Sequence, residues 1–285
     1  MSRIAYVNGR YLPHSEASVS IDDRAFLFAD GVYEVCEIRG GRLIDAPLHL
    51  ERLHRSLREM RMAAPMTDAA LLGVLREVVV RNRVRDGYVY LQVTRGAAKR
   101  DHAFPDPPVR PGLVVTARAL ASAKREAVAA KGIGVVTLPD LRWKRVDIKT
   151  TGLTANVMAR QAAREAGAGE AWFVDADGLV TEGAAANAWI VTQEGVVATR
   201  RVDGSILRGV TRTTLLELLK KLDLRLEERA FSVAEAQAAR EAFVTGATTL
   251  VTPVVAIDGK PVGSGAPGPL ARRLRAHYHE AAVST

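Results

Sequence analysis

Three separated segments of this 285-residue chain carry side chains that could cooperate in chemistry: Lys149 in Asp147-Ile148-Lys149, Glu182 in Glu182-Gly183, and the pair in Arg100-Asp101-His102. A lysine amine can condense with a carbonyl, a carboxylate can face a protonated ring nitrogen, and an arginine beside a histidine can receive a substrate carboxylate. Amino-group transfer needs an imine-forming amine, an electron sink and a substrate anchor. Together the segments therefore read as a pyridoxal-phosphate site.

Each part is ordinary by itself. Most lysines are solvated surface charges, and Arg100 and His102 fall in a loop where solvated residues are the rule. Lys149 gains weight from Ile148 and from the strand-like segment Trp143 to Asp147, which would bring the amine to a strand end beside a packed interior. Glu182 follows the turn Asp175-Ala176-Asp177-Gly178 and precedes Gly183, Ala184, Ala185 and Ala186, small residues that would let a flat cofactor approach the backbone. A phosphate needs backbone N–H groups at a helix start. Arg208-Gly209-Val210-Thr211 opens an amphipathic helix with Leu215, Leu218 and Leu222 on its face, and Thr245-Gly246-Ala247-Thr248 forms a second small-residue turn. Tyr33, after Asp30-Gly31, could add its phenol to the carboxylate receptor.

Other chemistries find little support. His14, His49, His54, His277 and His279 have no partners at metal-ligand spacing, so no metal site is expected. There is no Gly-rich P-loop, nucleophile elbow or dinucleotide fingerprint. The lone Cys36 has no internal disulfide partner and reads as a small apolar strand residue. The net charge of +8 and pI near 9.9 come from arginines scattered over predicted helices rather than gathered in a run. That reads as a solvated basic surface able to steer anionic substrates, not as a nucleic-acid footprint. No stretch reaches the roughly 18 uncharged apolar residues of a membrane span, and no apolar signal region follows Met1-Ser2-Arg3-Ile4, so a cytoplasmic protein is expected.

The elements that must hold these residues follow from periodicity. Alternation over residues 3 to 13 around Asn8-Gly9 predicts a hairpin, and Gly31 to Ile38 a strand that turns at Gly40-Gly41. Leu50, Leu53, Leu57 and Met60 form the face of a first helix with Asp45 and Pro47 as start signals. Arg52 lies off that stripe, and Thr67 caps a second helix with Leu71, Leu75 and Val78 inward. Strands are predicted over 87 to 94 and 112 to 119, with Arg100, His102 and Phe104 in the Pro-rich loop between them. The loss of alternation after Ala119 predicts a linker at 121–126 between an N-terminal domain (1–120) and a C-terminal domain (127–285) that carries Lys149. The second half has strands near 132 to 138, 170 to 174, 187 to 191 and 241 to 245, helices near 154 to 166 and 210 to 221, and a short helix from the capping box Ser232-Val233-Ala234-Glu235. The class is α+β in two halves.

Over nearly its whole length the chain resembles the fold-type IV pyridoxal-phosphate enzymes, and within them the D-amino acid (D-alanine) aminotransferases. The resemblance runs through Phe28-Ala29-Asp30-Gly31-Val32-Tyr33-Glu34-Val35, His49-Leu50-Glu51-Arg52-Leu53, Val93-Thr94-Arg95-Gly96, Arg100-Asp101-His102, Asp147-Ile148-Lys149, Thr181-Glu182-Gly183, Leu207-Arg208-Gly209-Val210-Thr211 and Thr252-Pro253-Val254. It implies a homodimer of two-domain subunits with the cofactor, pyridoxal 5'-phosphate, between the domains. Lys149 would carry the cofactor covalently and move the proton at the substrate α-carbon. Glu182 would bind the pyridine nitrogen, Leu207 would pack on the ring, and Arg52, Val210, Thr211, Ala247 and Thr248 would hold the phosphate. Tyr33, with Arg100 and His102 from the neighbouring subunit, would trap the substrate carboxylate.

The Arg-x-His pair separates this subgroup from its same-fold alternatives, the branched-chain L-amino acid aminotransferases, the aminodeoxychorismate lyases and the (R)-amine transaminases. The implied reaction is transamination between D-amino acids (D-alanine, D-glutamate) and 2-oxo acids (2-oxoglutarate, pyruvate) in two half-reactions through a pyridoxamine form. Two departures from the family pattern bear on substrate range and phosphate affinity: Ala184, Ala185 and Ala186 stand where better-known members have serines, and Gly246-Ala247 replaces a pair that is often hydroxylated.

Overall fold

The computed structural model describes residues 3–285. Strands β1 (Ile4–Val7) and β2 (Arg10–Pro13) pair Val7 with Arg10 across Asn8 and Gly9, whose φ angles of 48° and 98° are those a two-residue hairpin turn needs. The short helix α1 (Arg24–Phe28), capped by the Asp23 carboxylate, leads into β3 (Gly31–Arg39) and its two-residue partner β4 (Arg42–Leu43). Helices α2 (Ala46–Glu59) and α3 (Asp68–Arg81) follow, then β5 (Gly87–Thr94) and β6 (Gly112–Ala119). The six strands form one antiparallel sheet in the order β2-β1-β6-β5-β3-β4. Successive strand residues face opposite sides. Val32, Cys36 and Ile38 of β3 and Val89, Leu91 and Val93 of β5 are buried with Leu50, Leu53 and Leu57 of α2 and Leu71, Leu75 and Val78 of α3, while Tyr33, Tyr90 and Gln92 stay half-exposed on the other side.

In the remainder, α4 (Ser122–Lys131) and β7 (Ile133–Pro139) precede α5 (Thr154–Glu165), β8 (Glu170–Val174), β9 (Val180–Gly183), β10 (Asn187–Val191) and β11 (Val197–Thr199). Then come α6 (Val210–Lys221), β12 (Leu226–Glu228), α7 (Val233–Gln237), β13 (Glu241–Gly246), β14 (Leu250–Ile257), β15 (Lys260–Pro261) and α8 (Pro269–Ala281). The order is β12-β11-β10-β13-β14-β7-β8-β9 with β15 on β14. Pairs β11–β12, β14–β7 and β7–β8 are parallel. This sheet is covered on both faces. Along β10, Ala188 and Ile190 enter one core with Ala242, Val244 and Phe231, while Trp189 and Val191 enter another with Phe243, Leu215, Leu218 and Leu274. Burial on both sides makes its strands read as continuous apolar runs.

Several sequence expectations change. The proposed linker at 121–126 runs into α4, whose Ala, Ser and Lys composition lacks an apolar stripe because only Ala129 is buried. The chain divides at Ser122/Ala123, and one compact unit takes in residues up to Ser122 together with Ile148–Gly152 and Val283–Thr285. Lys149 thus belongs to the first unit and not to the second. The Tyr33 N–H donates to Lys149 O (3.0 Å), Thr151 N–H donates to Gly31 O (3.0 Å), and Ile148 joins the first core. Residues Trp143 to Asp147 are turns rather than a strand, since Arg145 binds Asp147 locally in place of a ladder. Asp45 is the N-cap residue of α2, as its start signal implies, but its carboxylate makes no cap bond and instead accepts from Val283 N–H (2.8 Å). Cys36 is buried and free, and burial pushes its thiol pKa up. No helix among the described residues is long and apolar enough to cross a membrane, and no metal-ligand cluster occurs among them.

Candidate active site

In the first unit, Lys149 is held by its own backbone. Its N–H donates to Ser56 Oγ (3.3 Å), its carbonyl receives Tyr33 N–H, and Thr151 Oγ1 donates to Ala29 O (2.9 Å). This strap lays residues 148–152 along the start of β3 and brings Lys149 Nζ to Tyr33 Oη at 3.2 Å, with the ammonium 4.2 Å from the ring centroid. The half-buried ammonium faces a phenol rather than a carboxylate. An amine not committed to an ion pair can exchange its proton and attack an aldehyde. Tyr33 packs on Tyr90 (5.6 Å), whose hydroxyl donates to Gln92 and whose pKa burial pushes up to about 12.

Beneath Tyr33, on the opposite face of β3, Glu34 is fully buried. It accepts from Arg52 Nε and Nη2 (2.7 Å each) and from His49 Nδ1 (2.7 Å). Burial pushes its carboxyl up, but the Arg52 charge and bonds and the His49 bond outweigh that and bring it to about 2. Arg52, expected near a phosphate, is therefore fixed by a carboxylate that no sequence motif singles out, although Glu34 sits one residue beyond Tyr33.

Arg100 and His102 lie exposed on the loop from β5 to β6, and neither bonds Tyr33 among the described residues. Both rest near Phe28: the Arg100 guanidinium is 5.2 Å and the His102 ring 5.3 Å from its ring centroid.

In the second unit, Glu182 is buried at the end of β9. Arg142 Nη1 donates to its Oε1 (2.5 Å), Asn187 Nδ2 to its Oε2 (3.0 Å), and Leu207 N–H to both oxygens (3.2 and 3.1 Å). Arg142 also grips Asp140 through two bonds (2.9 and 2.7 Å) and lies 4.5 Å from the Phe173 ring centroid. Burial opposes ionisation of Asp140, yet the Arg142 and Thr181 bonds lower its pKa. Arg142, Asp140 and Asn187 are not legible as site residues in the sequence. The one available signal is an arginine within a charged turn.

Leu207 is fixed through its backbone, since Asn187 Nδ2 also donates to its carbonyl (3.0 Å). Helix α6 starts three residues further on at Val210, with Gly209 as an N-cap that has no side chain to satisfy the first N–H groups. Gly209 is required for close approach: a Cβ there would meet Asn187 Oδ1 at 2.0 Å. Val210 and Thr211 are buried on that first turn. Ala247 and Thr248 form the half-buried turn from β13 to β14, where the neighbouring Thr249 Oγ1 is buried without a hydrogen-bond partner among the described residues. The Ala184–Ala186 stretch is held through its backbone: Asn156 Nδ2 donates to Ala184 O (2.8 Å), and Gly183 N–H to Ala186 O (2.6 Å).

In the second unit, the uncapped start of α6, the orphaned Thr249 hydroxyl and the Glu182 anion held by three donors suit a phosphate and a basic ring nitrogen; in the first, a lysine facing a phenol suits an aldehyde. The family model for amino-transferase class IV matches residues 31–257, most of the chain. The chain belongs to the class IV aminotransferases. This class IV aminotransferase is 41% identical to a D-alanine aminotransferase of Bacillus licheniformis over 97% of its own length and 96% of the relative's. It is 36% identical to the D-alanine aminotransferase of Staphylococcus haemolyticus, with 96% of each chain covered. Among solved structures, a T.th. branched-chain amino acid aminotransferase with pyridoxamine 5'-phosphate aligns with a TM-score of 0.90 at 28% identity, over 98% of this chain and 94% of that one. The fold is thus that of fold-type IV aminotransferases.

Proposed function

We propose that this chain is a pyridoxal-phosphate-dependent D-amino acid aminotransferase that moves the amino group between D-amino acids such as D-alanine and D-glutamate and 2-oxo acids such as 2-oxoglutarate and pyruvate. The observation that carries the reading is the Lys149 ammonium set 3.2 Å from the Tyr33 hydroxyl. Near-full-length likeness to D-alanine aminotransferases supports it.

When bound, pyridoxal phosphate supplies an aldehyde that takes the amino group and a cationic ring that takes up the electron pair left at the substrate α-carbon. Lys149 Nζ would hold the cofactor covalently and, as a free amine, would move the proton at the substrate α-carbon. Tyr33 Oη orients Nζ and donates to the substrate carboxylate. Glu182, which accepts from Arg142, Asn187 and the Leu207 N–H, would pair with the protonated ring nitrogen. The Leu207 side chain would cover the ring, and Arg52, the first turn of α6 at Val210 and Thr211, and the Ala247-Thr248 turn would hold the phosphate.

Arg100 and His102 receive the substrate carboxylate in the active site of the second copy of a homodimer, a role supported by their exposure and their lack of contact with Tyr33 in their own chain. Anchoring the carboxylate on that side turns the α-hydrogen of a D-substrate toward Lys149, whereas the L-enantiomer would place its side chain against the anchor.

The deciding experiment is single-turnover reaction of the purified holoenzyme with D-alanine and, separately, L-leucine, followed by loss of the cofactor's visible absorbance. Loss with D-alanine alone is expected. Loss with L-leucine alone would move the chain to the branched-chain reading, which the TM-score of 0.90 to a branched-chain enzyme keeps as the second candidate.

A further inference from the structure

We propose that Arg24 is a positioning residue for the substrate-carboxylate receptor, acting by gripping the backbone of the loop segment that carries Arg100 and His102. The inference rests on the reading of those two residues as the receptor. Arg24 makes no contact with the reacting atoms in this scheme.

Arg100 to Phe104 run outside any strand, and their side chains are exposed, so the sheet does not fix them. Arg24 does. Its guanidinium is buried, 3% exposed for the residue as a whole, and spends one edge on an anion and the other on the loop. Nε donates to Asp30 Oδ2 (2.8 Å), Nη1 to Asp101 O (2.6 Å) and Nη2 to His102 O (3.4 Å). Two consecutive loop carbonyls are thus tied to one planar fork. Phe28 extends the grip to the side chains, for Arg24, Arg100 and His102 all lie within 5.0 to 5.3 Å of its ring centroid.

A second arginine anchors the same segment further along. Arg95 donates to both Asp30 oxygens (2.7 and 2.9 Å), and its guanidinium lies 3.7 Å from the Phe104 ring centroid. Asp30 therefore holds two cations whose remaining faces meet the loop at residues 101, 102 and 104. The two arginine bonds keep its pKa low against the effect of burial. The arrangement needs arginine at 24: a lysine would still neutralise Asp30 but has no planar fork to reach two carbonyls at once.

The variant Arg24→Lys separates the grip from the charge. In single-turnover reaction with D-alanine, its apparent substrate constant is expected to rise about tenfold, the worth of charge-assisted hydrogen bonds to the loop, with the limiting rate and the cofactor's visible spectrum nearly unchanged. The inhibition constant of propionate, a carboxylate with no amine to transfer, is expected to rise by the same factor, which a loss of general integrity would not produce. Phe28→Leu, which leaves the Arg24–Asp30 pair in place, is expected to shift both constants in the same direction and provides the reading if Arg24→Lys does not fold. Unchanged constants in the folded variants, or a loss confined to the limiting rate, would overturn the inference. A wild-type holoenzyme that ignores D-alanine would instead remove the functional reading on which it rests.

Discussion

Glu34 and Arg52 form a bidentate pair, two bonds of 2.7 Å, with the carboxylate fully buried beneath the strand that carries Tyr33. Adjacent positions on β3 thus serve opposite faces: Tyr33 meets the Lys149 amine, while Glu34 fixes a guanidinium on α2.

Removing the Glu34 charge should be expensive. Glu34→Gln takes from the half-buried Arg52 the bidentate carboxylate that fixes it, and a loss of about 3–5 kcal/mol is expected, measured by urea unfolding at neutral pH. The variant should also bind pyridoxal phosphate more weakly if Arg52 serves the phosphate, which titration of the apoprotein would show.

Acid should act on the same pair with a definite sign. The Glu34 carboxyl lies at about 2 in the folded chain against 4.5 for an unperturbed glutamate. Because the folded value is depressed, the stability it adds is whole above about pH 4.5 and is lost as pH falls through about 2. The span corresponds to on the order of 3 kcal/mol. Unfolding free energies of wild type and Glu34→Gln should therefore converge in acid; a gap that stays constant from neutral pH down to pH 3 would contradict the assignment of charge to the pair.

Lys149→Ala should abolish the half-reaction with D-alanine while leaving the melting profile of the apoprotein close to wild type, because the segment is strapped down by its backbone. Turnover by this variant would remove Lys149 from the chemistry.

Arg100→Ala should raise the apparent D-alanine constant far more than it changes cofactor affinity, since the residue is exposed and its proposed part is to anchor the substrate in the ground state. Saturation curves and cofactor titration separate the two effects.

Gly209→Ala should disturb the Glu182 cluster from a distance. The new Cβ would press on Asn187 Oδ1, and Asn187 holds both Glu182 and the Leu207 carbonyl. Overpacking of this kind costs about 1–3 kcal/mol. Thermal melting of the apoprotein should show that loss, together with weaker cofactor binding in titration.

The sequence is legible where one physical rule governs. Alternation exposes β3 and β5, Asn8-Gly9 marks the first turn, and the spacing of Leu50, Leu53 and Leu57 marks α2. It misleads where rules compete. Pro253 argues against a strand, yet β14 is central, and its pairing with β7 slips beside that residue between Val254 and Ala256. In the turn after β7, Arg142 and Arg145 bind nearby carboxylates, so hydrophobic periodicity is silent about Arg142 and Asp140. The roles of Lys149, Glu182 and the trap residues come from residue type and order. Of their supports, Arg142 and Arg24 lie 40 and 77 residues from Glu182 and Asp101, while Glu34 and Asn187 lie nearer their partners but sit on strands whose apolar pattern gives them no mark.

The strap at Ile148–Gly152 also constrains how this gene could be cut or recombined. The lysine is encoded among residues of the second unit but seated in the first, and Ile148 fills part of the first unit's core. A fragment ending at Ser122 would lack both the amine and the plug for its own interior, and a transplanted second unit would carry its lysine away from the phenol that greets it. The two units are thus not interchangeable cassettes; inheritance of this chemistry requires them to travel as one reading frame.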